Sequence, residues 1–133
     1  MYERTRGLLD TSALVDLELL DPSLLPDELA IATITLAELS AAPTQARDPL
    51  ELSRRQVQLQ MAEAAFDPLP FGVSEARACG HVVAAVVAQG RKPRPRFADL
   101  LIAATALAND LTLVTRNPDD FAGLESLIMI RTV

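Results

Sequence analysis

Residues 97–115, FADLLIAATALANDLTLVT, constrain this chain more than any other stretch. The first fourteen have helical character and are apolar around most of the circumference, so the helix needs cover on nearly every side. LTLVT, residues 111–115, follows at once as a buried strand. Such a helix and the strand that follows it are both expected to lie buried among other elements. Other segments supply them. Residues 7–10 read as a first buried strand, and 12–20 as a helix ending before Asp21-Pro22. ELAIATI, residues 28–34, is a second strand, followed by a helix from about Leu36. Residues 49–66 form a long amphipathic helix with Pro49 near its start. PLPFG, residues 68–72, is a short extended piece. Ser74 begins a helix that runs to about Gln89 and ends at Gly90, and SLIMIRT, residues 126–132, is the last strand. Strands alternating with helices predict a three-layer α/β/α domain with a mainly parallel central sheet, a single domain over residues 1–133.

Charge and composition narrow the function classes. The formal net charge is −6, which argues against a protein that coats nucleic acid with its whole surface. It leaves room for a local basic strip beside an acidic centre. RKPRPR, residues 91–96, is such a strip and holds four of the twelve basic residues. Its prolines are expected to keep it extended and apart from the following helix; the plain alternative is a solvated loop. The single cysteine, Cys79, cannot form an intrachain disulfide, so the chain reads as cytoplasmic. No apolar run approaches the ~20 residues that cross a bilayer, and Asp10, Asp16 and Glu18 interrupt what would be a signal sequence.

Three carboxylates interrupt apolar stretches near the start of a helix: Asp10, Glu38 and Asp99. Each has an ordinary explanation. Asp10 is placed to cap a helix, and Glu38 completes a Thr-x-x-Glu capping box with Thr35. Asp99 lies in a first turn, where the helix dipole favours an anion. Taken together they suggest more. In parallel sheets, sites form beyond the carboxyl ends of the strands, and a carboxylate on so apolar a helix is costly unless solvated, paired or bound to metal. Converging carboxylates without cations make an oxygen-rich hole suited to Mg²⁺ or Mn²⁺. With no Cys/His ligand cluster, zinc is not expected. LVTRNPDDF, residues 113–121, adds Thr115, Asn117, Asp119 and Asp120 in one loop. This loop is either a turn with a helix cap or a further ligand source, through Asn117 or Asp119.

LLDTSALVDL, ITLAEL, FADLLIAATALAND and LTLVTRNPDDF resemble, in this order, the motifs of PIN-domain nucleases, and among these the VapC-type toxins of bacterial toxin–antitoxin modules. The resemblance runs from about residue 7 to 130. It implies that Asp10, Glu38 and Asp99 bind the metal and are the catalytic acids, with Thr11 or Ser12 supporting the first of them and Thr115 a further supporting hydroxyl. It implies an RNA substrate, a cognate antitoxin protein, a homodimer and no membrane. Arg91, Lys92, Arg94, Arg96 and Arg116 are then the candidate RNA contacts. One position departs: Asn117 stands where many members place a fourth acid, for which Asp119 or Asp120 would compensate.

Two rivals stand beside a metal-dependent endoribonuclease. One is a non-cleaving PIN-like module that binds RNA or a protein, favoured by Asn117. The other is a metal-dependent phosphohydrolase of small substrates, favoured by the acidic charge.

Overall fold

The computed structural model describes residues 5–133; the single domain expected over 1–133 includes four N-terminal residues outside this description. Four strands, β1 (Arg6–Leu9), β2 (Glu28–Ala30), β3 (Thr112–Thr115) and β4 (Ile130–Thr132), form one sheet. Their order is β2-β1-β3-β4, and every pairing is parallel. Five α-helices cover it: α1 (Thr11–Val15), α2 (Thr33–Ala41), α3 (Pro49–Ala65), α4 (Val73–Ala88) and α5 (Phe97–Ala108).

Alternation along the central strands sorts side chains between two cores. Leu8 and Leu113 point into one core with Val82 and Val86 of α4 and Leu100, Ile102 and Ala103 of α5. Leu9 and Val114, one residue on, point into the other with Ala13, Leu39 and Ala62. Both faces of the sheet are therefore dry, as parallel strands require, and the layers are α/β/α. On α5, the buried Thr105 hydroxyl donates back to the Leu101 carbonyl at 2.9 Å, so its polar atom costs little there. Gly7 is needed in β1: a Cβ at that position would lie 2.6 Å from Pro26 Cγ.

Five features differ from the sequence reading. The helix expected over 12–20 stops at Val15, and Leu17–Leu19 continues as a 3₁₀ turn. That tighter winding keeps Leu17 and Leu20 against the second core. The strand expected over 28–34 ends at Ala30. Beyond it Ile31 and Ala32 are fully buried, and Leu69 bridges them: its N–H donates to the Ile31 carbonyl (2.9 Å) and its carbonyl accepts from Thr33 N–H (3.0 Å). The extended piece at 68–72 thus meets the edge of the sheet, and α2 begins at Thr33, three residues earlier than expected. The basic strip is not extended: Arg94–Arg96 makes a 3₁₀ turn leading straight into α5, with a proline in its first turn where fixed φ suits a helical start. Of residues 126–132, only Ile130–Thr132 pair as strand; Ile128 N–H turns back to the Leu124 carbonyl. No described helix is long and apolar enough to cross a membrane.

Candidate metal centre

The carboxyl ends of β1 and β3 lie side by side, because Leu9 pairs with Val114 and Asp10 N–H donates to the Val114 carbonyl at 3.0 Å. This puts Asp10 beside Thr115, 105 residues later in the chain. Asp10 is only 3% exposed. Its Oδ1 accepts from Ala13 N–H (2.8 Å) and Ser12 Oγ (2.7 Å), and its Oδ2 accepts from Thr115 Oγ1 (2.5 Å). Asp10 does cap α1, but the cap occupies one oxygen only. Three donors, none of them a cation, hold the carboxylate in one orientation. The donors are themselves fixed: Ser12 Oγ accepts from Arg116 N–H (3.1 Å), and Thr115 Oγ1 from Asn117 N–H (2.9 Å).

Glu38 is not part of a capping box. With α2 starting at Thr33, its N-cap is Ala32, which offers no side-chain acceptor, and Thr35 is buried inside the helix. Glu38 projects from the next turn, and its Oε1 accepts from Thr11 Oγ1 at 2.7 Å. The two hydroxyls after Asp10 therefore divide their work. Ser12 supports Asp10, and Thr11 supports Glu38.

Asp99, in the first turn of α5, makes no hydrogen bond or ion pair among the described residues. Its carboxyl is raised to about 6, first by burial, then by the negative charges of Asp120, Glu38 and Asp10, with Arg96 opposing. The structure thus brings Asp10, Glu38 and Asp99 to one side of the sheet, near enough for each to be felt at Asp99. Asp120 joins them. It sits in the 3₁₀ turn Pro118–Phe121, anchored by the buried Phe121, and forms an ion pair with Arg96. Asp119 is exposed, and the Asn117 side chain caps nothing. Of the acids offered for the fourth position, it is Asp120 whose charge reaches Asp99. The sequence gives one clue, since Asp120 directly precedes the residue that pins the turn. Among the described residues, no three carboxylates stand close enough to close on one ion as placed.

The five basic candidates separate into two kinds. The Arg91 guanidinium donates to the carbonyls of Asp119 (3.2 Å) and Ala122 (3.3 Å), Arg96 pairs with Asp120, and Arg116 pairs with Asp16 at 3.0 Å. Lys92 and Arg94 are exposed, with no ion pair or side-chain hydrogen bond among the described residues.

Fold and centre together define an α/β/α protein with an acidic site beyond the carboxyl ends of its parallel strands. A family model described as "PIN domain" matches residues 7–126. Two proteins of Mycobacterium tuberculosis are similar over nearly the whole chain. Ribonuclease VapC5 is 32% identical over 96% of this chain and 93% of its own length, and Ribonuclease VapC4 is 30% identical over 94% and 95%. A crystal structure of VapBC-5, a member of the VapBC family of toxin–antitoxin systems from the same organism, superposes with a TM-score of 0.86 at 32% identity, covering 97% of this chain and 99% of that one. The chain belongs to the PIN-domain family and, within it, to the VapC-type branch.

Proposed function

We propose that this protein is a metal-dependent endoribonuclease and the toxin of a toxin–antitoxin pair. The observation that carries the metal is the setting of Asp99, which has no hydrogen-bond or ion-pair partner among the described residues: burial first, then the charges of Asp120, Glu38 and Asp10, raise its carboxyl to about 6, and Arg96 alone opposes them. Such a deficit of positive charge at an all-oxygen donor set fits Mg²⁺ or Mn²⁺, which accept one or two carboxylates and complete their shell with water. RNA as substrate and an antitoxin as partner are supported by the ribonuclease relatives and by the toxin–antitoxin complex that shares the fold. A homodimer is what the family resemblance implies.

Asp10, Asp99 and Glu38 would hold the ion, one or two of them directly and the rest through its bound water, with Asp120 as the fourth acid in place of Asn117 or Asp119. When bound, the ion supplies Lewis acidity for activating water and for offsetting charge on the scissile phosphate. The chain supplies geometry. Ser12, Ala13 N–H and Thr115 orient Asp10, and Thr11 orients Glu38. Asp99 has no donor of its own and keeps both oxygens for the ion. Lys92 and Arg94 hold charge free for the phosphate backbone. The non-cleaving alternative drew on Asn117, and Asp120 weakens that support.

The direct test is cleavage of mixed-sequence RNA by the purified protein with Mg²⁺, with Mn²⁺ and with excess EDTA. Cleavage is expected with either ion and none with the chelator; undiminished cleavage in EDTA would remove the mechanism. RNA bound but never cut in any metal would favour the binding module, and hydrolysis of small phosphodiesters alone would favour the phosphohydrolase.

Thr115 offers a second check. Thr115→Val keeps the shape but removes the hydroxyl that Asp10 Oδ2 accepts from. Metal affinity and turnover are expected to fall about 10–100-fold, the usual cost of losing an outer partner of a ligand. Stability should fall by about 1–3 kcal/mol, because a buried carboxylate oxygen loses its donor. Calorimetric Mg²⁺ titration and thermal melts read the two effects separately. Unchanged metal affinity would make Thr115 a purely structural residue.

A further inference from the structure

Phe97 opens α5 with 48% of its surface exposed, and it is the one aromatic among the large exposed apolar side chains of the described residues. The buried positions of the helix begin only at Leu100, and the ring is not among the side chains packed into either core. It lines an open depression of about 680 Å³ with Val83, Pro93 and Arg94. The unpaired Arg94 guanidinium stands on this rim, and Asp99 follows two residues along the same helix. A ring and a free cation therefore share the depression, while the Asp99 carboxylate leaves the same turn on the other side of the helix.

We propose that Phe97 is a stacking platform for an unpaired nucleobase of the RNA, outside the acidic centre, with Arg94 taking a neighbouring phosphate. The inference rests on the nuclease reading and adds that the substrate is single-stranded at this point. Charge selects the occupant. An apolar protein surface laid on Phe97 would strip water from Arg94 without giving it a counter-charge. A nucleotide offers a flat apolar face and an anion in one unit, the pairing used by proteins that bind single strands.

The test uses the full chain carrying Asp99→Asn, so that RNA persists. The chain has no tryptophan, so adding Phe97→Trp creates a single reporter at the platform. Titration with random-sequence single-stranded RNA 12-mers is expected to quench its emission, and abasic 12-mers are expected to bind without quenching. Phe97→Ala and Phe97→Leu should each weaken RNA binding roughly tenfold to a hundredfold, while Phe97→Trp retains it. The salt slope of binding should not change, since no charge is lost. Several results would overturn the proposal. Equal quenching by abasic RNA is one, and parental affinity in Phe97→Leu is another. A third is loss of self-association in Phe97→Ala with RNA affinity intact, which assigns the surface to a second copy of the chain. If the Asp99→Asn parent binds no RNA at all, the nuclease reading fails and takes the platform with it. If the parent binds and Phe97→Ala binds equally well, only the platform falls.

Discussion

Asp99→Asn is expected to abolish RNA cleavage while leaving the protein as stable as before or more so. The neutral amide keeps the size of the side chain and stays in the first turn of α5, but it removes one of the carboxylates proposed to hold the ion. Losing a direct ligand should cost more than the 10–100-fold typical of an outer partner. Stability should move the other way. The folded-state value of about 6 lies above the ordinary 3.8, so the metal-free fold binds a proton more tightly than the unfolded chain does. Its stability therefore rises as pH falls from about 6 towards 4, and the charged form weakens the fold above pH 6. The whole shift corresponds to about 3 kcal/mol; screening by solvent at this partly exposed carboxyl reduces that to about 1 kcal/mol. The variant should lose this pH dependence and melt a few degrees higher at pH 7.5 in EDTA. In the parent protein, Mg²⁺ must displace the Asp99 proton, so metal affinity should decline below pH 6. A variant that unfolds while keeping full activity per folded molecule would make Asp99 structural.

Phe121→Ala is expected to produce the largest loss of stability. Phe121 is 1% exposed and packs in the core shared by α4 and α5. Truncating a buried phenylalanine costs about 3–5 kcal/mol, a large part of the 5–15 kcal/mol that holds a typical domain together. The midpoint of thermal unfolding should fall by about 10–20 °C. Below the transition some activity should survive, because the ion pair to Arg96 still holds Asp120. A midpoint within a few degrees of the parent would mean that the turn Pro118–Phe121 is not anchored through this ring.

The sequence made the layers legible because α5 is apolar all round and the strands are short apolar runs between helical stretches. It over-extended the helix at 12–20 and the strand at 28–34, since an apolar run does not distinguish a 3₁₀ turn or a single bridge from a regular element. Asp10, Glu38 and Asp99 stood out as carboxylates at element junctions. Their supports Thr11, Ser12 and Thr115 were named only through the family resemblance, and which acid each one serves was not legible. Thr115 reaches Asp10 only through the β1–β3 register, and the capping box at Glu38 dissolved once Leu69 set where α2 begins. Arg91, Arg96 and Arg116 looked like free charges because a sequence does not reveal which arginines are already engaged.

Arg91 and Arg96 reach from the basic segment to the turn at 117–122, one to backbone carbonyls and the other to Asp120. These two segments are thus tied into one unit. A chimaera that imports a relative's basic segment alone would leave Asp120 without its cation and two carbonyls without their donor. Importing a turn that lacks an acid at position 120 would leave the Arg96 guanidinium unmatched, whereas Arg91 would still meet backbone carbonyls. A chimaera that carries both segments together is therefore expected to keep all three contacts.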